Sequence, residues 1–126
     1  MADESWDDNG LRFEAVDHDW CRVLRLDGVL DMAVLGSQES QLSALAVDAP
    51  GRAVIVDMSR VTFCDSTGLG VLVRTAKAVW AGSGTLRLAA PRPWVEKILI
   101  ISGVQRALPI FPTVDDACGA ALTEAR

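Results

Sequence analysis

The run Ala53-Val-Ile-Val-Asp57-Met58, followed shortly by Asp65-Ser66-Thr67-Gly68-Leu69-Gly70, constrains this chain more than any other stretch. Residues 53–58 are apolar almost throughout, with Asp57 near the end, as expected of a strand covered on both faces. The next apolar residues are Leu69, Leu72, Val73, Ala76, Val79 and Trp80, which is helical spacing. A buried strand therefore feeds a helix of about 67–81, and the turn between them carries two hydroxyls. Backbone N–H groups at that point have no intrahelical acceptor. Gly68 and Gly70 each cost roughly 1 kcal/mol relative to Ala inside a helix. Such a cost implies that the backbone must stay bare, for close packing or for close approach of a partner.

A length of 126 residues, half of them apolar, suits one domain with a single core. A net charge of −5 is unfavourable for nucleic acid and for anionic lipid, since both are bound by Lys and Arg. Residues 1–10 are acidic and lack the apolar core of a signal peptide, and are expected to form a tail ahead of a domain spanning 11–126. No apolar run approaches the ~20 residues that span a bilayer. Cys21, Cys64 and Cys118 are odd in number and scattered, which fits buried thiols in a reducing cytoplasm rather than a disulfide framework or zinc site. His18 is the only histidine, so a His-based metal centre is excluded and no cofactor is expected.

Along the chain, residues 11–16 alternate and predict a first strand, followed by a turn at Asp17–His18–Asp19. Trp20–Leu26 predicts its antiparallel partner, broken at Asp27–Gly28. A helix over 33–47 ends at Ala49–Pro50–Gly51, and Gly82 to Gly84 stop the helix that begins near Thr67. Thr85–Ala90 is a further strand. Pro93 and Gly103 bracket a short helix over Trp94–Ile101. Leu108–Phe111 is a short edge strand because of its flanking prolines, and Thr113 caps a last helix over about 114–124. The whole predicts an α/β fold: a small mixed, largely parallel sheet of four to five strands packed with about four helices.

Two readings of Asp65-Ser66-Thr67 stand side by side. All three residues are good helix caps, each worth about 1 kcal/mol. A hydroxyl at a helix N-terminus also occupies an anion-favouring position. A phosphate on Ser66 would add about −1.5 to −2 charge beside Asp65 without unfolding the domain, and would repel a partner fitted to the unmodified surface.

Val61-Thr-Phe-Cys-Asp-Ser-Thr-Gly-Leu-Gly-Val-Leu72 resembles the signature of STAS domains of the bacterial anti-sigma-factor antagonist family. Gly28-Val29-Leu30-Asp31 is similar to that family's turn before the first helix, and Leu86–Pro91, Val95–Gly103 and Ile110–Ala117 resemble its later elements. The likeness covers about residues 11–123. It implies that Ser66 is phosphorylated by a cognate anti-sigma factor serine kinase and restored by a serine phosphatase. It further implies that Asp31 and the segment Asp65, Thr67, Gly68, Leu69, Gly70 line the docking surface. By this resemblance the chain is a non-enzymatic, cytoplasmic regulator of transcription that works by partner switching, with no nucleic-acid or membrane contact of its own. An accessory subunit of a lipid-transport ATPase, or of a stress-signalling assembly, is the alternative on the same fold.

The chain departs from the family pattern at Val34, Cys64 and Ile100. Cys64 reads as a small buried hydrophobe, with a thiol activated by the helix end as the other possibility. Ile98–Ile101 is apolar all round, so Ile100 and Trp94 are read as a patch offered to a partner. Arg74 and Lys77 lie off the apolar stripe of their helix and are either a solvated face or a contact for an acidic partner rim. A Ser66 hydrolase would require a Gly-x-Ser-x-Gly elbow and catalytic partners, which are missing.

Overall fold

The computed structural model describes residues 11–18, 20–34, 36–48 and 52–125, with only the backbone of 37, 124 and 125. The tail expected over 1–10 and the helix stop at 49–51 lie outside the described residues, as do Leu35 and Asp19. The strands are β1 (Leu11–Asp17), β2 (Cys21–Leu30), β3 (Ala53–Cys64), β4 (Thr85–Ala89) and β5 (Ile110–Phe111). The helices are α1 (Ser37–Val47), α2 (Ser66–Ala81), α3 (Pro93–Ser102) and α4 (Val114–Ala125), and short 3-10 turns occupy Met32–Val34 and Val104–Arg106. The strands form one sheet in chain order, with β1 antiparallel to β2 and every later pair parallel.

Alternation decides which sheet face each residue joins. Leu24, Leu26, Leu30, Val54, Val56, Met58, Leu86 and Leu88 point to one side and bury against Leu42, Ala46, Val71, Leu72, Ala76, Val79, Val95 and Leu99. Helices α1, α2 and α3 therefore share that face. Cys21, Val23, Ile55 and Ala89 point to the other, where Ala117 of α4 covers them in a smaller cluster. On α4 Ala117 and Ala121 pack as predicted, and on α2 Leu72, Ala76 and Val79 do; the buried face of α2 also takes in Val71 and Thr75, which leaves Trp80 exposed.

Two strands are longer than expected, and both extensions position the site. β2 does not break at Asp27–Gly28. It shifts register on β3 between Arg25 and Asp27 and again between Gly28 and Val29, and so continues to Leu30. Gly28 takes φ 126°, a region where a glycine backbone is nearly free of steric cost. β3 continues past Met58 through Ser59–Cys64, because Val61, Thr62 and Phe63 favour extended backbone and find β2 as partner. β4 pairs with β3 only over Ala53–Asp57, so the second half of β3 is held on its β2 side alone.

Boundaries moved elsewhere for equally local reasons. α1 begins at Ser37 rather than 33, since Asp31 accepts from the Ala33 N–H (3.0 Å) and draws Met32–Val34 into a tight turn. α2 ends at Gly82, but the left-handed residue there is Ser83 at φ 69°, not a glycine. Gly84 serves contact instead: a Cβ there would lie 2.8 Å from the Arg52 carbonyl oxygen. α3 ends as predicted on left-handed Gly103, and Thr113 accepts from the Asp116 N–H (3.0 Å) at the start of α4.

Candidate functional site

Leu30 and Cys64 are register partners at the carboxyl ends of adjacent parallel strands. The next residue on each strand is an aspartate, so Asp31 and Asp65 emerge side by side. Asp31 turns the chain toward α1. Asp65 caps α2: its Oδ1 accepts from the Gly68 N–H (2.9 Å), while its carbonyl accepts from the Leu69 N–H (2.9 Å). Capping thus belongs to Asp65, and Thr67, half-buried in the first turn, is not the cap. Ser66 is exposed as the first helical residue, and among the described residues nothing hydrogen-bonds its hydroxyl.

The Leu30 carbonyl holds this turn in place. It accepts from the Asp65 N–H (3.2 Å), and the same oxygen would stand 2.1 Å from a Cβ on Gly68. The first turn of α2 is therefore pressed onto the end of β2, and only a bare Cα fits there. Gly68 is buried, so its glycine has an internal reason and not the approach of a partner. Gly70 differs: its added Cβ would meet only the guanidinium tip of Arg74 at 3.1 Å, so this glycine lies against a movable side chain.

Arg74 is not a freely solvated charge. Its Nε and Nη2 donate to both carboxylate oxygens of Glu39 (2.7 and 3.1 Å), tying α2 to α1 beside the turn. Lys77 is exposed. Cys64 is fully buried beneath the turn, and burial, with a smaller contribution from Asp65, pushes its thiol up to about 12. That direction opposes activation by the helix end, and leaves Cys64 as a small hydrophobe.

Two residues passed over in the sequence belong here. Met32 is 69% exposed in the turn that follows Asp31, and Phe63 is 42% exposed two residues before Asp65. Phe63 follows from alternation next to buried Cys64 once β3 is carried to its end, whereas Met32 is turned outward by the tight 3-10 turn after β2. They give the acidic turn an apolar flank. Trp94, Ile100 and Ile101 are exposed on α3, whose Val95 and Leu99 are buried. Trp94 and Ile101 are two helical turns apart on one face, so α3 carries an apolar stripe. The stripe belongs to a different helix from the Asp65–Gly70 turn. Among the described residues no group of His, Cys, Asp and Glu is arranged to hold a metal, and no helix is long and apolar enough to cross a membrane.

The site is thus an acidic, hydroxyl-bearing turn at the carboxyl end of the central strand of a mixed sheet. The chain belongs to the STAS domain family, which it matches over residues 12–117. It is 34% identical over 96 residues to BtrV of Bordetella bronchiseptica, named a candidate anti-sigma factor antagonist, covering 76% of this chain and 79% of that protein. It is 26% identical to the anti-sigma-F factor antagonist RsfB of Mycobacterium tuberculosis, covering 86% of this chain and 88% of RsfB. A crystal structure of an anti-sigma factor antagonist from Mycobacterium paratuberculosis superposes with a TM-score of 0.78 at 28% identity, covering 90% of this chain and 95% of that one.

Proposed function

We propose that this chain is an anti-sigma factor antagonist of the partner-switching kind, with Ser66 as its phosphoacceptor. The observation that carries the reading is the division of labour in the turn. Asp65 takes the capping bond and leaves the Ser66 hydroxyl exposed at a helix start. A capping serine would lose a stabilising bond on modification; this one loses none.

Unmodified, the surface around Asp31, Met32, Phe63, Asp65, Ser66, Thr67 and Leu69 docks a serine-kinase-type anti-sigma factor and frees its sigma factor. Gly68 shapes that surface from beneath, Gly70 keeps it low, and Arg74 holds Glu39 at its margin. The exposed apolar residues Trp94 and Ile100 of α3 give a second contact for the same partner. Transfer of phosphate to Ser66 adds about −1.5 to −2 charge where Asp31 and Asp65 already stand. Docking then faces like-charge repulsion and a desolvation cost, and the partner leaves. A serine phosphatase resets the switch. ATP is the kinase's substrate, the chain itself is not an enzyme, and the exchange takes place in the cytoplasm.

The test is incubation of the chain with a candidate anti-sigma kinase and ATP, followed by peptide mass spectrometry and titration calorimetry. One phosphate on Ser66, none on Ser66→Ala, and at least a hundredfold weaker binding by Ser66→Asp are expected. Phosphate on another residue, or undiminished binding by Ser66→Asp, sinks the reading.

A further inference from the structure

Far from the Ser66 turn, at the opposite end of β2, two cysteines remote in sequence meet. Cys21 begins β2 and Cys118 lies in α4, and their Sγ atoms are 3.0 Å apart although both thiols are free. Cys21 is completely buried and Cys118 is half-buried. A second bond fixes the approach: the Trp20 indole N–H donates to the Cys118 carbonyl (3.0 Å), so neighbouring groups on both elements are tied together. A disulfide needs an Sγ–Sγ distance of about 2.05 Å, a closure of roughly 1 Å from the contact observed. That is within the reach of side-chain rotation, and reacting atoms held about 3–3.5 Å apart are already in near-attack geometry.

We propose that Cys21 and Cys118 are an oxidation site, closing to an intramolecular disulfide when the chain meets hydrogen peroxide. Exposure sets the order of events. Cys118, the solvent-reachable thiol, attacks as thiolate on one peroxide oxygen; the O–O bond breaks, hydroxide leaves, and Cys118 becomes a sulfenic acid. The Cys21 sulfur then attacks the Cys118 sulfur; the S–O bond breaks, the S–S bond forms, and the departing hydroxide takes the Cys21 proton as water. The two thiols lose two electrons together, and the peroxide is reduced to two waters. Burial pushes the Cys21 thiol up to about 12, with the neighbouring Cys118 sulfur adding to the rise, so Cys21 does not start the reaction; its 3.0 Å contact with Cys118 is what lets it resolve the sulfenic acid. Cys64, sealed beneath the Ser66 turn, takes no part.

The bond would staple β2 to the last helix, linking residues 97 positions apart in the chain. Cross-links that close long loops stabilise most in the chain-entropy account. Nine steps along β2 separate Cys21 from Leu30, about 30 Å at the usual strand rise. The staple therefore acts on stability and leaves the docking turn as it is. It is independent of the phosphorylation proposed for Ser66.

The experiment treats the full chain with a few equivalents of hydrogen peroxide, blocks remaining thiols with N-ethylmaleimide under denaturing conditions, and maps peptides by mass spectrometry. An intact mass lower by two hydrogens, a linked Cys21–Cys118 peptide, and a melting temperature raised by about 10 °C and restored by dithiothreitol are expected. Cys118→Ser should lose both the link and the shift. Sulfinic acid on Cys118 with Cys21 still alkylated, a link through Cys64, or a covalent dimer would each overturn the proposal. The wild-type map decides even where the serine variant folds poorly.

Discussion

The two ends of the central strands solve opposite problems. At the amino end, polar groups are consumed. Arg22, a buried cation, donates from Nε and Nη2 to Asp17 (2.6 and 2.9 Å) and from Nη1 to the Leu45 carbonyl (2.9 Å), with Asp48 at 3.7 Å. Arg52 reaches the His18 carbonyl at 2.6 Å beside them. At the carboxyl end, one carbonyl and one carboxylate hold the turn, and among the described residues nothing hydrogen-bonds the Ser66 hydroxyl. Side chains lock the end that only has to hold. At the other end a backbone carbonyl and the Asp65 carboxylate hold the turn, and the Ser66 hydroxyl stays available.

That contrast breaks first at Gly68. Gly68→Ala drives a methyl group into the Leu30 carbonyl, and the obstacle is backbone, which cannot swing aside. A melting temperature lower by roughly 10 °C, on the order of 3 kcal/mol, is expected by circular dichroism. A loss of only a degree or two would mean that the turn is not pinned by Leu30. At the other end, Arg22→Ala removes a buried guanidinium and leaves the Leu45 carbonyl without its donor. About 2–3 kcal/mol should disappear from a urea unfolding curve, with partner affinity unchanged.

Asp65→Ala deletes the cap of α2 and should cost about 1 kcal/mol, whereas Asp65→Asn keeps the accepting oxygen and most of that stability. A smaller effect still is expected at Gly70. Its Cβ would displace only the tip of Arg74, and Ala is the better helix former by roughly 1 kcal/mol, so Gly70→Ala should be neutral to stabilising. The same variant sharpens the functional reading: weakened docking at unchanged stability would show that a partner approaches the backbone there.

The last prediction concerns acid. The Arg22 hydrogen bond holds the Asp17 carboxyl below its ordinary value of 3.8. A depressed folded pKa favours the native state above the unfolded value, and this contribution is lost as pH falls from there through the folded pKa. Asp17 is well exposed, so the effect is small. Melting temperatures followed from pH 6 down to pH 2 should fall less steeply for Asp17→Asn than for the parent chain.

Much of this architecture was legible because local signals agreed with the tertiary answer. The spacing of Leu72, Val79 and their neighbours, the glycine after α3 and the prolines around β5 each act within a few residues. The site was legible in part. Ser66 and Asp65 stand out by type and position, but which of them caps the helix depends on how Asp65 leaves β3. The ends of β2 and β3 were not legible: Asp27–Gly28 reads as a break unless a neighbouring strand absorbs the bulge, and Ser59–Arg60 reads as polar loop unless β2 pairs with it. Phe63 lies beside the turn through the extension of β3, and Met32 through the tight turn that Asp31 sets after β2.

What the sequence determined by itself is a strand feeding a helix through an acidic, hydroxyl-bearing turn, since strand and helix periodicity are properties of adjacent residues. Tertiary structure alone decided why Gly68 is glycine, where Arg74 spends its charge, and that Cys21 meets Cys118. Each of those depends on a contact between segments far apart in the chain, and only packing determines which distant groups come within a few ångströms of one another.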